Sequence, residues 1–483
     1  MPRLPPPFLN VLAGRSAALA LAAALAACST MPDERATPGE LPEAWLDAPA
    51  GAADPQSLDD WWRGFNDPLL DALVADALEN GGSVQLAALR LREARALSYS
   101  TLAAYLPRVD GFARGDYTQS LDGPDLQTSD LSGLESEQMV GAYGPQVSWE
   151  IPLFGRISAA AAGARANNRA ALADLRGAKV ALAADVAQAY IDLRAAQQSQ
   201  AALEEAVVLS DQLAGIVETS AQAGFASIAE AADARRLAET NRARLPNLRI
   251  EALRAERVLA VLRGRAPGTE EASFAQSLQT IAAVPSMRID AVPAQPADLV
   301  RLRPDVAQAE AQALLAAADV GLARSDLLPQ LNLTGSIAVT DNLIGNAVGE
   351  NAATLSLTPL ISIPLFGWGQ RWAQVRVRDA RFDQALVQYR DTVNGAVSEA
   401  ANALTALDQG NRRLIASRRA EEAAEATARG SRAAYGAGIQ SLADRLRSEQ
   451  QLIDARLARI DAEAQAARAG VNMYRAFGGG PSI

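Results

Sequence analysis

The chain contains two copies of one sequence pattern, and this duplication limits the folds that it can adopt. The pentapeptide Ile-Pro-Leu-Phe-Gly occupies residues 151–155 and recurs at residues 363–367. Two further matches, in the same order, are Leu106-Pro107-Arg108 with Leu328-Pro329-Gln330 and Ala223-Gly224-Phe225 with Ala437-Gly438-Ile439. The offsets nearly agree, and their difference falls in one segment, between Pro107 and Ile151, which is longer than its counterpart. Three ordered matches at a nearly constant offset indicate a duplicated structural unit.

Each copy contains a pair of segments in which apolar and polar residues alternate, which is the pattern of a β-strand. In the second copy the apolar residues are Leu331, Leu333, Ile337 and Val339, then Leu355, Leu357, Ile361 and Ile363. In the first copy they are Val109, Ala113 and Tyr117, then Met139, Tyr143, Val147, Trp149 and Ile151, with Phe112 and Val140 interrupting the alternation. Segments of about 12 residues match the length of tilted membrane strands, which turn one face to lipid and the other to water. The alternative is a half-buried sheet in a soluble protein.

Long helical segments follow each strand pair. Residues 158–223 contain no proline, so a continuous helix of these 66 residues would be about 100 Å long. Its apolar residues recur at heptad spacing, at Leu172, Leu175, Leu182, Val186, Tyr190 and Leu193. The matching helix covers residues 370–435, with Trp372, Val375, Phe382, Leu386, Tyr389 and Val393 at the same spacing. Soluble domains rarely need helices of this length, whereas a protein that crosses the periplasm does.

Return helices are predicted at residues 227–263 and 441–477. Gly224 and Gly438 lie in the turns that precede them, where glycine accepts the positive φ that ends a helix. The fold class is therefore α+β and mainly α, with each copy consisting of a β-hairpin and long coiled-coil helices.

The predicted strands require more than one chain. Two hairpins supply four strands, and an open sheet edge in lipid leaves backbone amides unpaired at a cost of several kcal/mol each. Because the smallest membrane barrels have eight strands, the barrel must be shared between chains. Two, three or four copies would supply 8, 12 or 16 strands, and the alternation does not choose among these numbers.

The N-terminus indicates export and lipid attachment. Residues 1–27 have the pattern of a signal peptide, in which Arg3 and Arg15 precede an 11-residue apolar run that is too short to span a bilayer. The run ends in Leu25-Ala26-Ala27-Cys28, which resembles a bacterial lipobox, and Cys28 is the only cysteine. We expect a diacylglyceryl thioether and an N-acyl chain on Cys28, and multiple acyl chains anchor a protein stably. The alternative is an ordinary signal peptide in which the cysteine occurs by chance.

Composition excludes several function classes. The chain has no histidine, so it lacks an imidazole base or metal ligand, and its five methionines are scattered, which argues against a thioether copper site. The net charge of −11 becomes −13 once residues 1–27 and their two arginines are removed, and an acidic chain is a poor ligand for nucleic acid. We therefore expect no enzymatic activity, no cofactor beyond the lipid, no metal and no nucleic-acid partner.

This order of segments resembles the TolC-type outer-membrane factors, and most closely the NodT and OprM branch of lipoproteins. The residues that carry the resemblance are the segment Trp61-Trp62-Arg63-Gly64-Phe65-Asn66-Asp67-Pro68, Arg303-Pro304-Asp305-Val306 with Ala309-Glu310, Tyr435-Gly436-Ala437-Gly438, and the repeated motifs above. The resemblance covers essentially the whole chain. It implies a homotrimer in the outer membrane, with a 12-stranded β-barrel above a periplasmic α-helical barrel. It also implies a periplasmic adaptor and an inner-membrane resistance–nodulation–division pump as partners.

The chain then divides as follows: signal peptide 1–27; lipidated extended segment 28–62; first repeat 63–265, with a hairpin at about 107–152 and long helices at about 158–263; equatorial linker 266–303; second repeat 304–477, with a hairpin at about 329–364 and long helices at about 370–477; tail 478–483. The linker is rich in proline. We expect the N-terminal tract and the tail to lie outside the helical body.

The resemblance also assigns roles at the periplasmic mouth, where the two helix turns face the adaptor. Tyr435 matches a tyrosine that helps to latch the closed mouth, and Glu230 falls at the acidic position that receives such a latch. Asp444 matches the first of two acidic residues that ring the pore constriction, and the second position holds Arg447 instead. The spacing i, i+3 allows Arg447 to pair with Asp444, which would largely cancel the charge of the ring.

Three functions fit the sequence. The first is an exit duct of an efflux pump for small molecules or drugs, the second a duct of a type I protein-secretion system, and the third a non-transporting lipoprotein that spans the periplasm. Cys28 favours efflux over secretion, because TolC resembles this chain in plan and carries no lipid anchor. The alternating strands argue against the third function, since a spacer needs no amphipathic hairpins. The sequence does not identify the substrate.

Overall fold

The structure is a computed structural model that describes residues 31–32, 36–45, 58–119, 137–269, 272–287, 289, 295–344 and 352–480. Cys28 and the signal peptide lie outside these residues. The chain forms two compact units. The strand unit contains residues 92–170 and 310–388, and the helix unit contains residues 37–91, 171–309 and 389–483.

Nine helices and four strands make up the described part of the chain. In order they are α1 (Pro68–Asn80), α2 (Gly82–Ala103), β1 (Arg108–Gln119), β2 (Glu137–Ile151), α3 (Arg156–Gln222), α4 (Ile228–Leu262), α5 (Ala272–Gln279), α6 (Leu299–Leu302), α7 (Pro304–Ser325), β3 (Gln330–Ile344), β4 (Ala352–Ser362), α8 (Trp368–Gly436) and α9 (Leu442–Ala476). Short 3-10 turns occur at Trp61–Phe65 and Pro296–Asp298. The predicted fold class, mainly helical with a small antiparallel sheet, is confirmed, and α3 and α8 contain 67 and 69 residues.

The strand unit holds one antiparallel sheet in the order β1-β2-β3-β4. The two hairpins are joined because β2 of the first repeat pairs with β3 of the second, as in the partners Trp149 and Leu333. The β2–β3 register shifts between Met139 and Val140, which is where Val140 interrupts the sequence alternation. A bulge inserts one residue and so changes which side chains share a face. The strands β1 and β4 form the two edges of the sheet.

The edge strand β4 leaves its apolar side chains uncovered. Leu355, Leu357, Ile361 and Ile363 along and just after β4 are all more than half exposed. In the same unit, Phe382 at the start of α8 packs against Ala317 and Val320 of α7. The predicted alternation therefore describes a sheet whose apolar residues do not serve the internal core of this chain.

No helix in the described part of the chain combines the length and the apolar character that a membrane-spanning helix requires.

The core of the helix unit explains the aromatic motif at residues 61–68. Trp61 and Trp62 are buried, and the Trp61 ring stacks on Tyr474 at 5.4 Å, so this pair packs in the core. Asp67 caps α1, since its Oδ1 accepts the backbone N–H groups of Leu69 and Leu70 at 2.9 and 3.2 Å. The hydroxyl of Tyr190 donates to Asp67 Oδ2 at 2.7 Å. The motif thus ties the start of α1 to α3.

A second buried contact involves the Arg-Pro-Asp motif. Arg303 is buried and donates to the carboxylates of Asp305 at 2.7 Å and Glu399 at 2.6 Å. It also donates to the backbone carbonyl of Ala476 at 2.6 Å, at the end of α9. Burying an arginine is tolerated only when charge partners and acceptors surround it, as they do here. The motif therefore connects α7, α8 and α9 within the helix unit.

The expectation that the N-terminal tract lies outside the helical body is wrong at Trp45 and Leu58, whereas residues 37–40 and 42–44 are exposed. Trp45 is 8% exposed, and its ring meets Phe477 edge-on at 5.5 Å, in a cluster with Leu58. The backbone N–H of Gly479 bonds to the carbonyl of Tyr474, which closes the C-terminal end of α9 after the left-handed Gly478. The physical reason is that the end of α9 presents apolar side chains that these segments cover.

The linker 266–303 contains a helix that was not expected, whereas the return helix predicted at 227–263 is confirmed as α4. The linker contains α5, whose Leu278 enters the core, and Phe274 lies under the Arg263 guanidinium at 3.9 Å. Helix α4 continues through Pro246, which the sequence analysis did not consider.

Tyr190→Phe tests the link between Asp67 and α3. Loss of a hydrogen bond to a charged acceptor should lower the free energy of unfolding by about 1.5–3 kcal/mol. Burial raises the pKa of Tyr190 to about 12, from an ordinary value of 10.0. The protonated hydroxyl therefore stabilises the fold fully below pH 10, and this contribution is lost as the pH rises towards 12. Thermal unfolding of the detergent-solubilised protein should show a difference between native and variant chains that shrinks over this pH window. Tyr99→Phe, at an exposed tyrosine, is the control, and a difference that is constant with pH would contradict the assignment.

Candidate functional site at the hairpin tips

Each of the two long helix pairs has a turn at its tip, and the two turns have the same conformation. In the first, Gly224 has a φ of +79°, and in the second Gly438 has a φ of +73°, as the sequence analysis predicted for both. The N–H of Phe225 bonds to the carbonyl of Ser220 at 2.8 Å, and that of Ile439 bonds to the carbonyl of Ala434 at 2.9 Å. This six-to-one bond, closed by a left-handed glycine, satisfies carbonyls at a helix end. Two equivalent tips result, one on each hairpin.

Apolar side chains project from these tips. Phe225 is 89% exposed, Ile228 is 85% exposed and Ile439 is 82% exposed. When large apolar side chains are this exposed and lie close together, they mark a surface that contacts a partner. The tips therefore offer an apolar contact surface of small area, with polar groups of the first helical turns beside it.

Ser227 and Glu230 form a capping box at the start of α4. The Ser227 hydroxyl accepts the N–H of Glu230 at 3.1 Å, and Glu230 Oε2 accepts the N–H of Ser227 at 2.8 Å. The backbone N–H and then the hydroxyl of Ser227 hold the pKa of Glu230 below its usual value. The structure thus gives Glu230 a local role within its own chain, and its role as a receiver of the Tyr435 latch stays a prediction.

Asp444 and Arg447 pair as the spacing predicted. Arg447 donates to Asp444 Oδ1 at 2.7 Å, and the Ser441 hydroxyl donates to Asp444 Oδ2 at 2.6 Å. Ser441 also caps α9 by accepting the N–H of Asp444. Hydrogen bonds from Ser441 and Arg447 lower the pKa of Asp444, so the carboxylate is ionised throughout the neutral range. Both side chains are largely exposed, and their charges are compensated locally.

Tyr435 lies against the second hairpin's own return helix. The guanidinium of Arg445 is 5.1 Å from the centre of the Tyr435 ring. Tyr435 also borders an apolar group that we call the tip cluster, formed by Leu213, Ala214, Val217, Ala234, Leu237, Leu442 and Leu446. No sequence pattern identifies Arg445 as a partner of Tyr435. Its position ten residues later, after the turn between α8 and α9, is compatible with the contact.

The tip cluster is the contact between the two hairpins at this end. Leu442 and Leu446 of α9 meet Leu213 and Val217 of α3 and Leu237 of α4. Beside it is a cavity of about 430 Å³, lined by apolar residues and by Arg432, Arg445 and Glu449. The spacing of Leu442 and Leu446 by one helical turn was the available sequence signal.

Among the described residues, no group of three or more histidine, cysteine, aspartate or glutamate side chains could hold a metal ion.

The family model described as "Outer membrane efflux protein" matches residues 73–265 and 296–479. Outer membrane protein OprJ of Pseudomonas aeruginosa is 28% identical over 467 residues, covering 96% of this chain and 95% of OprJ. Cation efflux system protein CusC of Escherichia coli is 26% identical over 464 residues, covering 95% of this chain and 98% of CusC. The solved structure of the outer-membrane channel OprN superposes with a TM-score of 0.83 at 30% identity, covering 94% of this chain and 99% of OprN.

Ser227→Ala and Ser441→Ala test the caps of the two tips. Each removes a side-chain acceptor at a helix N-terminus, which costs about 1 kcal/mol of local stability. Hydrogen exchange measured by mass spectrometry should become faster in the first turn of α4 for Ser227→Ala and in the first turn of α9 for Ser441→Ala. Each variant is the control for the other. Unchanged exchange in both first turns would show that the serines do not stabilise the tips.

Proposed function

Since the chain belongs to the outer membrane efflux protein family, we propose that it is the outer-membrane channel of a tripartite efflux pump, a passive exit duct for small molecules or drugs. The observation that carries this proposal is the four-stranded sheet with exposed apolar side chains and two open edges, attached to helices of 67 and 69 residues. A sheet of this kind is stable in lipid only when its edges are paired. The long helices extend the duct from the membrane into the periplasm.

The open edges support a barrel that is shared between chains, and the family resemblance supports three copies. Three copies supply twelve strands, with β1 of one chain pairing with β4 of the next, and the three pairs of helical hairpins then surround a common axis. The full-length match to the outer-membrane channel OprN supports this arrangement. Apolar side chains on the outside of the sheet would contact lipid, and the polar ones would face a water-filled lumen.

The proposed duct catalyses no reaction. The tips, with Phe225 and Ile439 exposed, are suited to contact a periplasmic adaptor, which links the duct to an inner-membrane pump of the resistance–nodulation–division type. Energy comes from that pump. The name of the relative CusC refers to cation efflux, whereas the scattered methionines of this chain offer no thioether cluster for a metal cargo.

We assign lipidation to Cys28 and gating to the tips. A diacylglyceryl and an N-acyl chain on Cys28 would anchor the mature N-terminus in the outer membrane. Around the axis, three Asp444–Arg447 pairs would form a constriction with little net charge, because each carboxylate is compensated by a guanidinium at 2.7 Å. Tyr435 and Glu230 would latch the closed mouth between chains.

Arg447→Asp tests the position of this constriction. It replaces the compensating charge, so each chain then contributes two carboxylates and the pore should become more cation-selective and more easily blocked by trivalent cations. Reversal potentials in planar bilayers measure the selectivity, and the unsubstituted protein should conduct in uniform steps. Arg249→Asp, the same charge change on the exposed face of α4, is the control. Unchanged selectivity in Arg447→Asp would remove Asp444 and Arg447 from the constriction.

Deletion of the gene tests the proposed cargo. Cells without the protein should accumulate a fluorescent dye and secrete proteins normally, and the unsubstituted chain should restore dye efflux. Retained dye efflux together with lost secretion would favour a protein-secretion duct.

Radiolabelled palmitate tests the lipidation site, and it should enter the unsubstituted chain and not Cys28→Ala. Palmitate in Cys28→Ala would refute the lipidation site.

A further inference from the structure

The segments that adjoin the sheet carry basic residues and no acidic ones. Residues 94–109, 151–173 and 352–378 contain eight arginines and no aspartate or glutamate, whereas the whole chain has a net charge of −11. These segments include the end of α2 and the starts of α3 and α8. The first turns of α3 and α8 contain no carboxylate, although the helix macrodipole favours one there. Helix stability therefore does not account for this distribution of charge.

Half of these arginines have no partner within the chain. Four of the eight bond to acidic side chains or to a backbone carbonyl, namely Arg108, Arg156, Arg371 and Arg378. The other four are exposed and have no hydrogen-bond or ion-pair partner among the described residues, and they are Arg95, Arg165, Arg169 and Arg376. Unpaired charges of one sign that lie near each other raise the local concentration of ions of the opposite sign. This part of the surface therefore attracts anions.

Three of the unpaired arginines lie at one distance from the sheet. Arg95 is eight residues before the end of α2, Arg165 is nine residues after the start of α3, and Arg376 is eight residues after the start of α8. At the rise of an α-helix, each is about 12–14 Å from the helix end that adjoins the sheet. Arg169 lies about one turn farther away.

The helices that carry these arginines lie side by side in the strand unit, in the order α2-α3-α7-α8. Their contacts are Ser98 Oγ with the carbonyl of Ala164 at 3.1 Å, Gly163 with Ala318, and Phe382 with Val320. The order follows that of the strands to which the helices are joined, β1-β2-β3-β4. Helices α2 and α8 therefore end the row, as β1 and β4 end the sheet.

Arg95 and Arg376 lie on the same side of this row. Arg95 follows the buried Ala94 on α2, and it therefore points about 100° away from the helix face that packs on α3. Arg376 follows the buried Val375 on α8 in the same way. Seen from the sheet, the two helices turn in opposite senses, because α2 runs towards the sheet and α8 runs away from it. Since they also end the row at opposite ends, both rotations lead to the same side.

Aromatic side chains lie between Arg376 and the sheet. Phe366 is 94% exposed, and Trp368 and Trp372 are 44% and 49% exposed. Trp368, Trp372 and Arg376 are spaced by four residues, so they follow one face of α8. From the apolar residues of β4 onwards, the order is aromatic and then basic, which is the order of side chains across the interface of a lipid leaflet. Arginine side chains extend along apolar surface and place their charge in the headgroup layer.

A neighbouring copy of the chain does not supply the missing anion. In the proposed pairing of β4 with β1 of the next copy, α8 lies beside α2 of that copy. The adjoining part of α2, residues 94–103, carries Arg95 and no acid. The contact between copies thus brings two arginines at one level to the same side of the helices. Phosphate is the anion that guanidinium groups bind in bidentate geometry.

We propose that Arg95, Arg165 and Arg376, which we call the basic collar, bind the headgroups of anionic phospholipids in the leaflet next to the helices. The lipid phosphate accepts hydrogen bonds from the guanidinium groups, and the acyl chains lie against Phe366, Trp372 and the apolar side chains of β4. The basic collar thereby fixes the depth of the sheet in the bilayer. This inference goes beyond the proposed efflux function, since it rests on the proposed position of the sheet in a membrane and is independent of the cargo.

Native mass spectrometry of the detergent-solubilised protein tests the basic collar. The protein is mixed with equal amounts of phosphatidylglycerol and phosphatidylethanolamine that have the same acyl chains, so that the two lipids differ in the headgroup alone. We expect the unsubstituted protein to retain phosphatidylglycerol in preference. Arg95→Gln, Arg165→Gln and Arg376→Gln should each lower this preference by about fivefold, and the triple variant should abolish it. Arg249→Gln, at an exposed arginine of α4 in the helix unit, is the matched control and should leave the preference unchanged.

Equal retention of the two lipids by the unsubstituted protein would overturn the basic collar, and so would an effect of Arg249→Gln equal to that of Arg376→Gln. Displacement of phosphatidylglycerol by millimolar inorganic phosphate would replace the lipid site with a site for free phosphate. The same spectra count the chains, and a triple variant that separates into single chains but keeps its lipid preference would assign the arginines to the contact between copies. Protein that does not insert into lipid vesicles contradicts the membrane position of the sheet, whereas inserted protein without a lipid preference contradicts the basic collar alone.

Discussion

The backbone amides and carbonyls on the outer sides of β1 and β4 have no partner within the four-stranded sheet, and lipid offers none. A sheet with uncovered apolar side chains on its strands therefore depends on further copies of the same chain for its stability in a membrane. The duplication is one economical way to supply the strands, since each repeat contributes one hairpin and β2–β3 pairing joins them. Once the edges are paired between chains, the helical hairpins that continue from the strands must surround the same axis.

Within the helix unit, the chain uses different interactions around its sequence motifs and at the hairpin tips. Around the motifs at residues 61–68 and 303–306, buried hydrogen bonds and ion pairs hold the helices together. Examples are the bond from Tyr190 to Asp67 and the bonds from Arg303 to the carboxylates of Asp305 and Glu399. The tips are held to each other by apolar contacts, which tolerate sliding better than hydrogen bonds do.

The sequence predicted local features well and distant contacts poorly. Strand and helix positions, the positive φ of Gly224 and Gly438, and the Asp444–Arg447 pair depend on residues a few positions apart, and periodicity or spacing is sufficient to infer them. The packing of Trp45 on Phe477, the pairing of β2 with β3 and the contact of Arg445 with Tyr435 join residues whose proximity no short pattern encodes. The short helix α5 was missed because the prolines around it dominate the local pattern. Pro246 was missed for the opposite reason, since the surrounding α4 pattern is strongly helical.

Pairing of β1 with β4 between chains can be tested directly by disulfide formation. One cysteine replaces an outward residue near the middle of β1 and a second scans successive positions of β4, and the membranes are oxidised before denaturing electrophoresis. The account predicts that one register yields a covalent species of three chains, while each single-cysteine variant stays at the mass of one chain. Oxidation that closes the bond only within single chains, or a covalent ladder that ends at two or at four chains, would contradict a sheet shared by three copies.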